Sequence, residues 1–436
     1  MKKFLVVLLA LGLVVAFSAP AAATDVKFSG SYTVWGYYED NQSLQESDAD
    51  SSTSSDFYAQ RLRIKTVFQV AEGLSLTTRF DAMERVWGGN RDGYEAEAGK
   101  SATEERNIRW ERAYVTFAVP YGTFYVGYQS GGTWGTVFAD QVRSTPRIKF
   151  VNKTGPWTFL ALTEKQSEGD IGTEERDKDY DHYAVAFIYK WDQGNAGVLW
   201  YYLVNKDYEP YAPGPPVVGR ENSTLRHLVM PYFKATVGPV YLEGEINYIF
   251  GTTEYDDGSK DMDHDGWSGY IMAKVPLDQF YVGGQFAYVE GDDPDSRDNE
   301  AGHTGQDYNP CLILFGNDKL YKWTGDMGHY GATNDTMENA FLYQIFAGMK
   351  PIEKLDVRAS LTYAEADETP EIAGVQYVDD DYGTEFDITA TYKIYDNLSY
   401  MVGFGYLWTG DYYKGDDSGN KIDDNYLVMN RLTLKF

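Results

Sequence analysis

Three basic residues stand at alternate positions in the run Ala59, Arg61, Arg63, Lys65, Val67, while Tyr58, Leu62, Ile64, Thr66 and Phe68 lie between them. Downstream come Arg79, Asp81 and Arg85, set against Leu74, Leu76, Thr78 and Phe80, and then Arg112, set against Ala113, Val115, Phe117 and Val119. Side chains two residues apart project from one face of an extended chain. In strands these cations form a ladder on one wall, and the apolar residues form the other. Closely spaced guanidinium groups repel one another unless water, acids or passing anions compensate them. The chemistry on offer is electrostatic: a wet wall that lines a passage, or a wall braced by salt bridges. The residues alone leave both open.

Other chemistry is sparse. There are five His and one Cys, with no HExxH, GxSxG, P-loop or CxxC motif. The acidic groups Asp256-Asp257, Asp292-Asp293 and Asp379-Asp380-Asp381 fall in loop-like segments. Asp261, Asp263 and Asp265, followed by Gly266, resemble the start of a calcium loop, but its twelfth position is Met272 where that motif needs Glu. A structural Ca2+ in the loops is the only cofactor such residues suggest. A net charge of −28 makes nucleic acid an unsuitable partner. Cys311 is the single cysteine, so no intrachain disulfide staples the fold.

The elements that must position these residues repeat along the chain. Strands of about ten alternating residues are joined in turn by a tight connection and a long acidic one. Short connections fall at Glu72-Gly73, Pro120-Tyr121-Gly122, Thr154-Gly155-Pro156, Gln193-Gly194-Asn195, Val237-Gly238-Pro239, Pro276-Leu277-Asp278, Pro351-Ile352-Glu353 and Asp396-Asn397, all with turn chemistry. Long ones run near 40–56, 88–106, 129–146, 166–180, 206–222, 252–266, 291–338, 366–382 and 410–424. Within 291–338 the run Cys311-Leu312-Ile313-Leu314-Phe315 is too apolar for water and is expected to pack into a barrel mouth or against a neighbouring subunit.

This alternation predicts an all-β fold: a transmembrane, antiparallel, up-and-down barrel of about 18 strands, in one domain over residues 24–436. Sixteen strands is the alternative if the weak strands near 147–153 and 157–165 belong to an in-folded loop. Tyr183, Val185, Phe187, Tyr189 and Trp191 are expected to face lipid, with His182, Ala184, Ala186 and Lys190 inside. A mean hydropathy of −0.46 is compatible with a barrel, because only every second strand residue meets lipid. The 37 Tyr and 10 Trp suit interfacial girdles. Met1, Lys2 and Lys3 followed by an apolar run and by Ala21 and Ala23 read as a signal peptide over residues 1–23. The chain ends on Phe436, on the face of Leu434, Leu432, Asn430, Val428 and Tyr426. Export, closure and that terminal strand together point to the outer membrane of a Gram-negative bacterium, with outer-membrane lipid as the surroundings. A two-sheet soluble sandwich is the competing architecture.

Pro120-Tyr121-Gly122-Thr123-Phe124-Tyr125-Val126-Gly127-Tyr128-Gln129 resembles the turn and fifth strand before the constriction loop of bacterial trimeric porins. Asp25-Val26-Lys27-Phe28-Ser29-Gly30-Ser31-Tyr32 resembles a porin first strand, and Asn430-Arg431-Leu432-Thr433-Leu434-Lys435-Phe436 the C-terminal strand read by the barrel-assembly machinery. In order and position these motifs are similar to the abundant porins of anaerobic Gram-negative bacteria. The resemblance implies a homotrimer of general diffusion channels for small hydrophilic solutes, in which residues 130–146 enter the lumen. It sets Asp140 against Arg61, Arg63, Arg79 and Arg112. The chain departs from the family at Tyr128, where a basic residue is usual, so the positive wall must come from earlier strands.

The expected function is passive diffusion with a modest preference for inorganic anions, and without catalysis. Loop cations would bridge the acidic loops to lipopolysaccharide phosphates. A saccharide-selective channel using Trp110, Trp134 and Tyr201 as stacking surfaces is the alternative. A barrel enzyme or adhesin is the alternative of another class.

Overall fold

The computed structural model describes residues 25–44, 46, 54–88, 108–140, 143–169, 178–206, 222–256, 258–316, 336–372 and 375–436. The expected signal peptide, residues 141–142 of the expected constriction segment and residues 317–335 of the longest loop lie outside the described residues.

The strands are β1 (Asp25–Asp40), β2 (Ser55–Ala71), β3 (Leu74–Val86), β4 (Ile108–Val119), β5 (Gly122–Ser130), β6 (Ser144–Thr154), β7 (Trp157–Ser167), β8 (Tyr180–Trp191), β9 (Gly194–Asn205) and β10 (Asn222–Val237). They continue as β11 (Val240–Tyr255), β12 (Met262–Leu277), β13 (Phe280–Val289), β14 (Ala340–Ile352), β15 (Leu355–Glu365), the two-residue pair β16 (Glu371–Ile372) and β17 (Val375–Gln376), then β18 (Asp381–Tyr395), β19 (Leu398–Thr409) and β20 (Asn425–Lys435). All but β16 and β17 belong to one 18-stranded sheet, so β6 and β7 are barrel strands and the count is 18. Each strand pairs antiparallel with its neighbours in sequence, and β20 also pairs with β1. That last pairing closes the sheet and leaves no edge of unpaired backbone groups, the condition for crossing lipid.

Closure is tight at the seam. The Gly30 N–H donates to the Phe436 carbonyl at 2.7 Å, and the Phe436 N–H returns a bond to Gly30 at 3.1 Å. A Cβ at position 30 would run into the Arg63 backbone carbonyl and meet the Phe436 ring at 2.9 Å, so glycine is required there. The expected short connections are tight turns, with Gly73 at φ 72°. Three are displaced: β12 runs through Pro276 to Leu277 with its turn at Asp278 and Gln279, β14 runs through Pro351 to Ile352 with its turn at Glu353 and Lys354, and the turn before β9 falls at Asp192 and Gln193. The connection expected over 252–266 is shorter, because β11 extends to Tyr255 and β12 begins at Met262.

The alternation sorts side chains as expected. On β8, Tyr183, Phe187 and Tyr189 are exposed outside, while Ala184 and Ala186 are buried inside. On β18, Ile388 and Tyr392 point out, and Glu385 and Asp387 are buried within. The outer face carries large apolar side chains in the open, Phe28 at 67% and Ile345 at 66% exposure among them. An apolar surface that circles the molecule far exceeds what a water-soluble monomer presents. Aromatic pairs gather near both ends of the strands: Phe117 on Phe124, Phe124 on Phe150 and Trp157 on Tyr189 toward the turns, and Tyr58 on Trp87, Tyr248 on Trp267 and Tyr288 on Phe341 toward the loops. Tyr183 and Tyr189 on β8 are separated by roughly 20 Å of strand, close to the height of an apolar band between two girdles.

Two segments occupy the interior. Residues 131–140 pass inward after β5, with Phe138 fully buried. Residues 303–316 enter after β13, and Cys311, Leu312, Ile313, Leu314 and Phe315 pack against Tyr37, Ala59, Leu407, Leu427 and Met429. The apolar run noted in the sequence is therefore inside the barrel. The segments meet backbone to backbone: Gly305 N–H donates to Phe138 O at 2.9 Å and Asp307 N–H to Asp140 O at 3.1 Å.

Candidate functional site

On β2 the buried Ala59 fixes which face is internal, and Arg61, Arg63 and Lys65 share it by alternation. Acids from β3 and β4 interleave with them. Asp81, only 2% exposed, accepts a bidentate pair from Arg63, Nε at 2.7 Å and Nη2 at 2.6 Å. Arg61 lies 3.3 Å from Glu84 and over the Trp35 ring at 5.4 Å. Arg79 stands between Lys65 and Arg112 in the register and reaches Glu111 at 3.8 Å. Bracing and lining thus coexist: Arg63 is locked by a geometry that adds strength and direction, whereas Lys65 and Arg112 have no carboxylate within ion-pair distance among the described residues.

Two residues depart from the expected faces, and a bulge explains each. Met83 adopts a left-handed φ of 52°, and the β2–β3 register shifts there so that Arg85 opposes Gln60. Opposed residues share a face, and Gln60 lies outside with Tyr58 and Leu62, so Arg85 leaves the ladder and Glu84 takes the inward position. In β4 the register shifts again and leaves Glu111 without a partner, which places Trp110 beside Phe80 on the outer face, 60% exposed and ring to ring at 5.4 Å. Trp110 is therefore no internal stacking surface. A bulge inserts one residue and reverses the alternation beyond it.

The internal charge also extends past what the sequence reading named. Arg147 and Lys149 on β6 repeat the every-second-residue spacing of Arg61 and Arg63, a signal hidden by the weak apolar pattern of that strand. Lys149 Nζ donates to Gly131 O at 3.0 Å and sits over the Tyr125 ring at 5.0 Å. Arg147 pairs with Glu164, which also binds His182 Nδ1 at 2.7 Å and Gln166 at 2.8 Å.

The 131–140 segment is held by named contacts. Thr136 donates its N–H and hydroxyl to Glu245 at 2.7 and 2.8 Å, and the Trp134 indole N–H donates to Met230 O at 3.1 Å. Asp140 turns back to accept the Trp134 N–H at 3.2 Å. The cavity it lines is bounded by Arg143, Arg147 and Arg226, not by Arg61, Arg63, Arg79 or Arg112. That cavity, ≈ 340 Å³, lies between the in-folded segment and β6–β11. Its charged side carries the three arginines with Asp140 and Glu164. Aliphatic residues share the same wall: Leu162, Leu199, Leu203, Leu228 and Met230 cluster there, Leu203 directly across the strands from Arg226. Trp134, Tyr180, Tyr201, Gln166, His182 and His303 also line it. Burial, and then the nearby Arg226 charge, push the His303 imidazole down to about 4, so it is neutral at pH 7.

The acidic motif does not curl into an ion loop. Asp263 and Asp265 belong to the extended β12, with Asp263 bound to Thr252 at 3.1 Å, and Asp261 precedes it. The carboxylates of Asp261, Asp263 and Asp265 do not converge as a three-ligand group. Around them Glu290, Asp292 and Glu368 have carboxyls pushed up, first by burial and also by neighbouring acids. Among the described residues one group of three ligand-type side chains converges: Cys311, Glu385 and Asp387. Glu385 is committed elsewhere, since its oxygens accept the N–H groups of Leu312, Ile313 and Leu314 at 2.9, 2.8 and 2.7 Å.

No protein-family model matches the chain, and no curated protein matches it. Among solved structures it is similar to OccK8 (OprE) of Pseudomonas aeruginosa, at 11% identity and a TM-score of 0.53, over 94% of this chain and 98% of that one. It is equally similar to OccAB3 of Acinetobacter baumannii, at 11% identity and a TM-score of 0.53, over 94% and 100% of the two chains. At that identity the likeness is one of fold: this chain is a closed, antiparallel, 18-stranded β-barrel, similar in architecture to these two proteins along most of its length.

Proposed function

We propose that the protein is an outer-membrane channel, a general diffusion porin that passes small hydrophilic solutes and modestly prefers anions. The observation that carries this reading is the inversion of the barrel, with apolar side chains in the open outside and paired and unpaired charges inside. A soluble sandwich hides its apolar faces; a barrel in lipid exposes them. Lys65, Arg79, Arg112, Arg147 and Lys149 supply a positive internal surface on β2 to β6, and a charged lining sets the sign of a pore's selectivity.

Export by residues 1–23, assembly into a homotrimer and recognition of the Phe436 strand by the barrel-assembly machinery belong to the same proposal. The test is reconstitution of the purified protein into planar bilayers. Stepwise conductance with a reversal potential favouring chloride over potassium supports the reading. Cation preference that survives neutralising the acidic loops contradicts the wall assignment, and absence of any unitary step contradicts the channel. A saccharide-selective channel is the alternative, resting on Trp134 and Tyr201 in the cavity lining, and it would show saturable block by sugars.

A further inference from the structure

The interior of a diffusion channel for polar solutes has no use for a cluster of leucines. Here Leu162, Leu199, Leu203, Leu228, Met230 and Ile249 converge from β7, β9, β10 and β11 on the cavity beneath the in-folded 131–140 segment. They are inward positions of regular strands, so no bulge or register shift delivers them there by accident. Beside them on the same wall and segment, Arg143, Arg147 and Arg226 outnumber Asp140 and Glu164 by one charge, and Leu203 lies directly across the strands from Arg226. Arg147 is satisfied by Glu164, and its Nη1 donates to the Gln129 carbonyl at 2.6 Å. Arg226 differs: its Nε is buried with no hydrogen-bond partner, and among the described residues no carboxylate lies within ion-pair distance of it. A buried donor without an acceptor is costly and is normally satisfied.

We infer that this cavity is a binding site for amphiphilic organic monoanions, which place an oxyanion head on Arg226 and an aliphatic body against the leucine wall. The inference rests on the channel reading and names the solute class the channel selects. The size fits, because ≈ 340 Å³ accommodates a short alkyl chain with its head group but not an extended polymer. Charge and shape act on different parts of the solute. The guanidinium group contributes equally for every member of a homologous series, while the wall contributes with each methylene buried, up to about four-fold in affinity per methylene. A small inorganic anion has the head without the body, and a sugar has neither.

The experiment uses the full-length protein in planar bilayers, with sodium alkanesulfonates from methane- to hexanesulfonate added to the salt solution. The reading is the concentration that halves the current. It should fall steadily with chain length, by two- to four-fold per methylene, until the cavity is filled. Alkanoates of the same lengths should follow the same slope if the site reads any oxyanion, and alkyltrimethylammonium ions should block far less. Leu199→Asn and Leu228→Asn should flatten the slope, and Arg226→Gln should raise the half-blocking concentration of every member while keeping the slope. Equal half-blocking concentrations for methane- and hexanesulfonate in the unmodified protein, with normal conductance steps, overturn the site and leave the channel standing. A protein without steps removes both.

Discussion

Replacing Glu385 by alanine should release residues 311–315 from the interior of the barrel. The carboxylate is fully buried and is the acceptor for three successive backbone N–H groups, those of Leu312, Ile313 and Leu314. Intramolecular hydrogen bonds contribute about 0.5–1.5 kcal/mol each. Three at the upper end come to about 4–5 kcal/mol, and the relief of no longer holding an acidic group beside Asp387 and away from water offsets part of that. A net loss of about 3 kcal/mol remains, which multiplies the population of the undocked segment about 100-fold. Glu385→Gln keeps one acceptor oxygen and should give about a ten-fold change. Cys311 is the natural reporter, being the only cysteine, 1% exposed, with its Sγ 3.3 Å from Thr362 Oγ1. Its rate of modification by a maleimide is measured on detergent-folded protein whose unboiled gel mobility shows an intact barrel. Equal rates in the unmodified protein and Glu385→Ala would refute the idea that this carboxylate holds the segment in place.

Two further outcomes follow from the interior charges. Asp81→Asn removes the acid that locks Arg63 and should raise the anion-to-cation permeability ratio by about two-fold or more, read as a shift in reversal potential; an unchanged potential argues that Arg63 does not face permeating ions. His303 is held neutral by burial and Arg226, with Asp140 and Glu164 as the acids on the same cavity. Its folded value of about 4 lies below the ordinary value near 6.5, so its stabilising contribution is complete above about pH 6.5 and is lost as the pH falls toward 4. Hydrogen exchange of residues 303–316, corrected for intrinsic rates, should quicken across that window. His303→Asn should flatten the dependence, and a flat profile in the unmodified protein contradicts it.

Much of the architecture was legible because it is local. Period-two alternation and turn residues such as Glu72-Gly73 and Asp396-Asn397 specify strands and their tight connections without reference to distant partners, and they yield 18 strands, including the weak β6 and β7. The ladder Arg61, Arg63 and Lys65 was legible for the same reason. Arg147 and Lys149 carry the identical spacing, but in a strand whose apolar alternation is too weak to mark its inner face.

Alternation and turn chemistry alone determined a closed barrel with an apolar outside and a charged inside, since each residue's face follows from its parity within its own strand. Only the tertiary structure decided where that parity breaks, at Met83 and Glu111, sending Arg85 and Trp110 outward. It alone decided that residues 303–316 enter the barrel and that Asp140 lines the cavity that Arg143, Arg147 and Arg226 also line, away from Arg61. The physical reason is range: a bulge depends on the register of two strands, and an inserted segment on contacts far away in the chain, such as Glu385 with Leu312, so neither leaves a periodic trace in the residues that form it.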